Sequence, residues 1–418
     1  MIKALRGTKD ILPEEIGLWQ YIENNSRDIL NIYGYKEIRT PIIEEASLFV
    51  RSMGDKSDIV KKEMYVFSDR GGRNIALRPE ATASIVRAYI ENSLSQGSGQ
   101  AKLFYIGPMF RAERPQQGRQ RQFYQIGVEA IGSDSPFIDT EVIILAVRLL
   151  ESLGIKKFHV KINSLGCHKD KLAIIDKYRD SIKPYLGKLC DDCKFRFNKN
   201  ALRIFDCKEE SCRAIVENIK AQDLMCSDCN EHFDKVKQGL DTIGIDYKID
   251  HKIVRGLDYY TKTVFEITQD DLGAKDAICA GGRYNNLIKE LGGKDTPAIG
   301  FAFGMERLVL ALSSNLSTRA PGHQGTRVFI AIAGEALYKE AFKLLNSMRG
   351  AGIASEMDYE SKSLKAQMRK AEKSGARFVV ILGEDEFKRG NVMLRDMSSS
   401  SQKEIELKRV TEELKDNT

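Results

Sequence analysis

Apolar residues recur at helical spacing through "GLWQYIENNSRDILNIYGY", with Leu18, Ile22, Ile29, Ile32 and Tyr33 in step and Gly34 at the end. This predicts an amphipathic helix closed by a glycine. The β-branched run "KEIRTPIIEEASLF" around Pro41 predicts extended chain, and "RPEATASIVRAYIENS" predicts a second helix from Pro79 to about Ser93. Two alternating runs, "KLFYIGPMFRA" and "RQFYQIGVEAIG", flank a Pro-Gln-Gln-Gly turn and predict a long β-hairpin. Another strand is expected from about Phe158 to Ile162. A Lys- and Cys-rich, helical insertion follows at about 170–235. Strand character returns in "VRGLDYYTKTVFEIT" and "AICAGGRYNNLI", and the apolar "GFAFGMERLVLAL" predicts a helix.

The stretch "SSNLSTRAPGHQGT", rich in Ser, Gly and Pro, has linker composition. Beyond it, "RVFIAIAG", "IASEMDY" and "RFVVILGEDEF" alternate with amphipathic helices, which predicts a small α/β domain with a largely parallel sheet. The larger part lacks that rhythm and is expected to be α+β with an antiparallel sheet. The division is therefore 1–320, carrying the insertion, and 327–418. A chain of 418 residues is too long for one ordinary core, in keeping with more than one domain.

With 42% hydrophobic and 30% charged residues the chain has globular composition, and a net charge of +6 permits nucleic-acid binding without demanding it. Lys3, Arg6, Lys9 and Asp10 interrupt the start where a signal peptide needs an apolar run. Glu306 and Arg307 break the most apolar stretch, which does not suit a membrane span. A cytoplasmic location is expected. Eight cysteines in such a chain point to thiols or metal ligands rather than a disulfide framework.

Charge clusters at the hairpin. "FRAERPQQGRQRQFYQIGVE" carries Arg111, Arg114, Arg119 and Arg121 with only Glu113 and Glu129. Strand alternation puts Arg121, Phe123, Gln125, Gly127 and Glu129 on one face, and Tyr105, Gly107, Met109 and Arg111 on one face of the preceding strand. Two glycines there predict a bare floor for a flat ligand. The guanidinium groups around it suit phosphate oxygens, which they grip bidentately.

These residues resemble motif 2 of the class II aminoacyl-tRNA synthetases, in "FYIGPMFRAERPQQGRQRQF". "GYKEIRTPIIEEASLF", with Pro41, resembles motif 1, and "PAIGFAFGMERLVLAL" resembles motif 3, a glycine-rich strand running into a helix that presents Arg307. "VRGLDYYTKTVFEI" and "LRPEATASIVRAY" resemble motifs of the histidyl-tRNA synthetase family, and the likeness runs essentially end to end. Ala81 stands where many relatives are expected to have glycine, leaving Glu80 and Thr82 in place.

The resemblance implies ATP-dependent activation of histidine as an adenylate, followed by transfer to tRNA(His). Arg111 would then hold the α-phosphate, Arg255 would face it from the opposite side, and Arg307 would hold the distal phosphates. Glu113 would lie near the adenine, with Arg119 and Arg121 supporting the triphosphate and magnesium accompanying ATP. An imidazole offers one donor and one acceptor, so its recognition needs a carboxylate and a donor. Glu129 and Tyr260 suit this pairing; Glu80, Thr82 and Gln125 would bind the amino-acid head, with Tyr259 close by and Tyr284 at the pocket edge. Gln116 and Arg114 at the hairpin tip would meet the tRNA acceptor end. Lys365 and Arg369, in the basic stretch "SKSLKAQMRKAEKSGAR", would meet its anticodon side. Motif 1 implies a homodimer.

Cys190-Asp-Asp-Cys193 and Cys226-Ser-Asp-Cys229 form two C-x-x-C pairs. Two readings stand together: one structural zinc on these four residues, or reduced thiols. Two other functions compete with the enzyme. One is a non-catalytic relative that regulates histidine biosynthesis, against which Arg111, Glu113, Arg255, Arg307 and a full terminal domain weigh. The other is a zinc-dependent RNA-binding module, which leaves Glu80, Gln125, Glu129 and Arg307 unexplained.

Overall fold

The computed structural model describes residues 2–55, 57–94, 99–115, 118–199, 201–207, 209–217, 225–253, 257, 259–269, 277–313, 327–360 and 362–416. They fall in two compact units, Met1–Pro321 and Gly322–Thr418.

In the first unit, α1 (Pro13–Ile32) starts on a proline followed by Glu14 and Glu15, which favour the positive end of the helix dipole. It ends before Gly34, whose φ of 77° is the left-handed conformation that glycine adopts without a Cβ penalty. Strand β1 (Lys36–Glu37) precedes a small antiparallel sheet of β2 (Ile43–Glu45), β3 (Tyr65–Ser68) and β4 (Asn74–Leu77), in the order β2-β4-β3. Helix α2 (Ala46–Met53) follows β2, and α3 (Thr82–Glu91) follows β4. The expected hairpin is β5 (Ala101–Phe110) and β6 (Gln122–Ile131), in a register that sets Tyr105 opposite Gly127 and Gly107 opposite Gln125.

Next come α4 (Pro136–Ser152), β7 (His159–Ser164), and the insertion helices α5 (His168–Ile182), α6 (Asp191–Lys199), α7 (Glu210–Glu217) and α8 (Ser227–Ile243). The unit closes with β8 (Tyr247–Ile249), β9 (Thr261–Thr268), β10 (Ala277–Arg283), α9 (Leu287–Glu290), β11 (Ala298–Gly304) and α10 (Met305–Ser313). Its main sheet runs β1-β5-β6-β11-β10-β9-β7-β8. The six central strands are antiparallel, as expected, while β1 and β8 add parallel edges.

Alternation along the strands decides where the core ends and the site begins. Ile126 and Val128 of β6, Ile299 and Phe303 of β11, and Phe265 and Ile267 of β9 share one apolar cluster with Leu18 and Ile22 of α1, Val142 and Leu145 of α4, and Val236 and Leu240 of α8. The intervening Gln125 and Glu129, Gly300 and Ala302, and Glu266 instead line a cavity on the opposite face.

In the second unit, β12 (Val328–Ala333) pairs in parallel with β13 (Ser355–Met357) and with β14 (Phe378–Gly383). Helices α11 (Tyr338–Gly350) and α12 (Leu364–Ser374) provide the crossovers. A hairpin of β15 (Asn391–Asp396) and β16 (Gln402–Glu406) extends the sheet antiparallel, so only half of the expected parallel character holds.

Candidate active site

A cavity of 360 Å³ opens on the polar face of the main sheet. At its base is Glu129, 1% exposed, between Leu103 across the hairpin and Gly300 across the other strand edge. A methyl group on Gly300 would strike the carboxylate, so glycine makes the space it occupies. Thr82 Oγ1 donates to Glu129 Oε1 at 2.7 Å, and the Tyr284 hydroxyl donates to Oε2 at 2.5 Å. Burial pushes the Glu129 carboxyl up to about 8, and the negative charge of Glu80 adds to this, against the pull of the two hydroxyl bonds.

Glu80 explains why α3 begins at Thr82 rather than at Pro79. Its carboxylate accepts the backbone N–H of Thr82 at 2.7 Å and of Ala83 at 2.9 Å, satisfying the first turn of the helix. Burial raises its pKa, while those hydrogen bonds and Arg111 oppose the rise. Glu80 thereby fixes the helix end that aims Thr82 at Glu129.

The bare glycine floor expected from the sequence is already filled. A Cβ on Gly127 would lie 2.5 Å from the Tyr105 ring, and one on Gly107 would lie 2.7 Å from the Arg78 guanidinium. The glycines make room for side chains of the protein itself. Tyr105 folds across its directly paired glycine, as aromatic residues do over a neighbouring strand glycine. Arg78 in turn donates to the carbonyls of Pro108, at 2.9 Å, and of Thr40, at 3.1 Å. The open space lies instead along β11, beside Ala302 and Gly304.

Tyr259 and Tyr260 form the facing wall, their ring centroids 4.8 Å apart, with Tyr284 at 5.8 Å from Tyr259. Two residues on, Lys262 takes φ 45°, a left-handed conformation that costs a non-glycine residue roughly 1–3 kcal/mol. Surrounding bonds hold it. Lys262 N–H donates to Gly166 O at 2.7 Å, Leu165 N–H donates to Lys262 O at 2.8 Å, and Lys262 Nζ pairs with Asp134 at 2.7 Å.

At the upper part of the hairpin, Arg111 stacks its guanidinium 5.3 Å from the Phe123 ring centroid and donates through Nε to Pro79 O at 2.8 Å. Arg119 pairs with Glu113 at 2.9 Å. Arg307, on α10, donates to Ala277 O. Neighbouring Glu306 accepts the backbone N–H of Tyr124 at 2.9 Å, and burial pushes its carboxyl up to about 7. Among the described residues Gln125 Oε1 is buried without a hydrogen-bond partner, an acceptor left for a ligand.

The cavity thus gathers Glu80, Thr82, Arg111, Glu113, Arg119, Gln125, Glu129, Tyr259, Tyr260 and Arg307. Arg121 departs from its expected place. It is absent from the cavity lining, its stem packs beside Gly7, and its backbone N–H donates to Gly7 O at 2.6 Å. Its Nε donates to Glu113 O at 3.4 Å. Arg114 is exposed, as are Lys365 and Arg369 on α12. Arg255 and Gln116 lie outside the described residues. Tyr284, expected at the pocket edge, bonds Glu129 directly, while the ring of Tyr105 and the carboxylates of Glu266 and Glu306 join the site without having been expected there. For Tyr105 the signal was its pairing with a strand glycine.

The cysteines also depart from expectation. Cys190 and Cys193 converge with Cys207 and Cys212, whereas Cys226 and Cys229 converge with Cys167 and Asp170. The two C-x-x-C pairs therefore do not form one site.

An antiparallel sheet that sets paired arginines over one polar face, with a glycine-rich strand running into the helix of Arg307, defines a class II aminoacyl-tRNA synthetase. A family model described as histidyl-tRNA synthetase matches residues 7–179 and 207–308, and one described as anticodon binding domain matches 327–417. The histidine–tRNA ligase of Pelotomaculum thermopropionicum is 49% identical over 412 residues, covering 98% of this chain and 97% of that one. That of Halothermothrix orenii is 47% identical, covering 99% of each. The crystal structure of an apo histidyl-tRNA synthetase from S. aureus superposes with a TM-score of 0.84 at 36% identity, covering 99% of this chain and 100% of that one. The chain belongs to the histidyl-tRNA synthetase family.

Proposed function

We infer that this chain is a histidine–tRNA ligase, which joins L-histidine to ATP as histidyl-adenylate with release of pyrophosphate and then passes the acyl group to tRNA(His). Glu129 carries the reading. It is a carboxylate buried at the base of a cavity whose upper rim bears Arg111, Arg119 and Arg307. The 1–320 region acts as the catalytic domain, and 327–418 as the anticodon-binding domain.

Glu129 accepts one imidazole N–H and Tyr260 serves the other ring nitrogen. Glu80 and Gln125 Oε1 take the substrate ammonium, with Thr82 and Tyr259 shaping the head of the pocket. The carboxylate is thereby delivered to the α-phosphate, where Arg111 balances the charge that develops. Glu113 and its partner Arg119 frame the adenine side, and Arg307 holds the distal phosphates. Magnesium enters with ATP; Glu266, which faces the cavity from β9, offers an oxygen ligand for it and fits its hard-cation chemistry. Arg255 contacts the α-phosphate opposite Arg111, a role carried by family resemblance. Arg255→Ala is expected to slow single-turnover adenylate formation about 10²-fold, the scale for one preorganised donor. An unchanged rate with an intact fold would remove it from the site.

Tyr284→Phe isolates the hydroxyl that bonds Glu129. Deleting one hydrogen bond to the buried Glu129 carboxyl is expected to raise the KM for histidine about tenfold, with the KM for ATP little changed. Equal KM values in mutant and parent would show that the hydroxyl has no part in recognition.

For tRNA, Arg114 and Gln116 approach the acceptor end, while the exposed Lys365 and Arg369 contact the anticodon side and confer salt dependence. The chain works as a cytoplasmic homodimer. Exposed Ile43 and Phe67, at 49% and 46%, lie on the small sheet beside Pro41 and support pairing there. Among the described residues no helix is long and apolar enough to cross a membrane. The candidate zinc ligands belong to the insertion and not to the reaction cavity. Charging of tRNA(His) with labelled histidine tests the whole reading: ATP-dependent acylation is expected, and its absence from folded protein would overturn it.

A further inference from the structure

Seven of the eight cysteines lie in or at the root of the insertion, and the structure sorts them into two groups. Within each group the ligand atoms all lie within 4.8 Å of one another: Cys190, Cys193, Cys207 and Cys212 in the first, and Cys167, Asp170, Cys226 and Cys229 in the second. The seven cysteines among them are free thiols. Cys190 Sγ and Cys207 Sγ are 3.8 Å apart. A disulfide needs about 2.05 Å. Four zinc–sulfur bonds of about 2.3 Å at tetrahedral angles place neighbouring sulfurs about 3.8 Å apart, the spacing found here.

Backbone donors already face the sulfurs. Cys190 N–H donates to Cys212 Sγ at 3.3 Å, and Cys167 N–H donates to Cys229 Sγ at 3.1 Å. Such bonds fix the orientation of the sulfurs, as the outer hydrogen-bond partners of a metal site do. In the second group, Asp170 accepts from the backbone N–H of both Cys167 and Cys226 at 3.2 Å, which holds its carboxylate among the thiols. Each group supplies four ligands, the closed set of a structural site.

We propose that this chain holds two structural zinc ions, one on Cys190, Cys193, Cys207 and Cys212, the other on Cys167, Asp170, Cys226 and Cys229. The first organises a small core of its own with Tyr178, Ile182, Leu189 and Ile204. Residues 180–206, which carry Cys190 and Cys193, fall between the two stretches matched by the family model. The second pins the start of α5 to the start of α8, at the root of the insertion.

That root touches the wall of the cavity. Gly166, next to Cys167, accepts the N–H of strained Lys262, and Lys171, one turn along α5, donates through Nζ to Tyr260 O at 3.1 Å. The second zinc therefore acts on Tyr260 through the backbone, as a positioning element for histidine binding. This last step rests on the histidine reading; the zinc count does not.

The test is metal analysis of the full-length protein, purified reduced, loaded with zinc and freed of excess by gel filtration. About two zinc ions per chain are expected, falling to about one in Cys190→Ser/Cys193→Ser and in Cys226→Ser/Cys229→Ser, and staying near two in Asp170→Cys. Cobalt titration of the unmodified protein avoids reliance on variants that fold poorly; intense visible bands of tetrahedral thiolate should saturate at about two equivalents. Zinc near zero, no such bands, or double variants that keep both ions would overturn the proposal. Loss of the second zinc should raise the KM for histidine several-fold with the KM for ATP unchanged, whereas loss of the first should move neither. A histidine KM that does not move, with charging activity retained, would overturn the positioning role while leaving the zinc count to be judged by the metal analysis.

Discussion

Glu129→Gln is expected to lower kcat/KM for histidine by about 10³-fold in pyrophosphate exchange, the scale for disrupting one partner of a buried, hydrogen-bonded pair, while the KM for ATP stays near that of the parent. The same substitution should stabilise the fold above neutral pH. The carboxyl of Glu129 rises from its ordinary 4.5 to about 8 on folding, chiefly through burial. Below pH 4.5 both folded and unfolded chains hold the proton, and Glu129 makes no difference between them. Between 4.5 and 8 the unfolded chain releases that proton and the folded chain keeps it, so stability falls as pH rises, and the loss is complete above about 8. Glutamine has no proton to lose. Thermal unfolding of the variant should therefore run several degrees above the parent at pH 8.5, and the gap should close towards pH 4.5. A variant that is inactive and no more stable at high pH would contradict a buried carboxylate kept for binding at a cost in stability.

Arg111→Ala is expected to reduce kcat for adenylate formation by about 10²- to 10³-fold, with the KM for histidine within a few-fold of the parent. The geometry gives the reason. Nε is anchored on Pro79 O and the guanidinium plane lies over Phe123, so the rest of the fork is oriented before any ligand arrives. Lysine supplies the charge but neither the plane nor the stacking, and Arg111→Lys should recover little of the loss. Full recovery with lysine, seen in single-turnover kinetics, would mean that charge alone suffices at this position.

Much of the architecture was legible because periodicity reports it directly. The β5–β6 hairpin followed from alternation on either side of a turn, and so did the side chains sharing the face of Glu129. Alternation does not say what fills the space over a glycine. The floor at Gly127 was misread because Tyr105, paired directly across the hairpin, lays its ring there. The start of α3 was misplaced for a similar reason: a proline marks a permitted first turn, but the carboxylate of Glu80 caps a helix that begins three residues after that proline, at Thr82. The hairpin of β15 and β16 escaped notice because β16 is mostly exposed and polar and carries little apolar rhythm. Tyr284 reaches Glu129 from just past the end of β10, a strand two places away in the sheet, and no spacing along the chain encodes that meeting.

The cysteines show the same limit most sharply. Spacing identifies a C-x-x-C pair, but only the packing of α5 to α8 decides which pairs meet. Cys167 and Asp170 lie outside any such pair, and Cys207 and Cys212 are separated by four residues.

The account stands or falls on a cavity that selects an imidazole and activates its carboxylate. Amino-acid-dependent ATP–pyrophosphate exchange, run with each of the twenty amino acids in magnesium and without tRNA, measures that directly. Exchange with histidine alone, lost in Glu129→Gln, is the expected result. Exchange with another amino acid, or none with any of the twenty from folded protein, would contradict it.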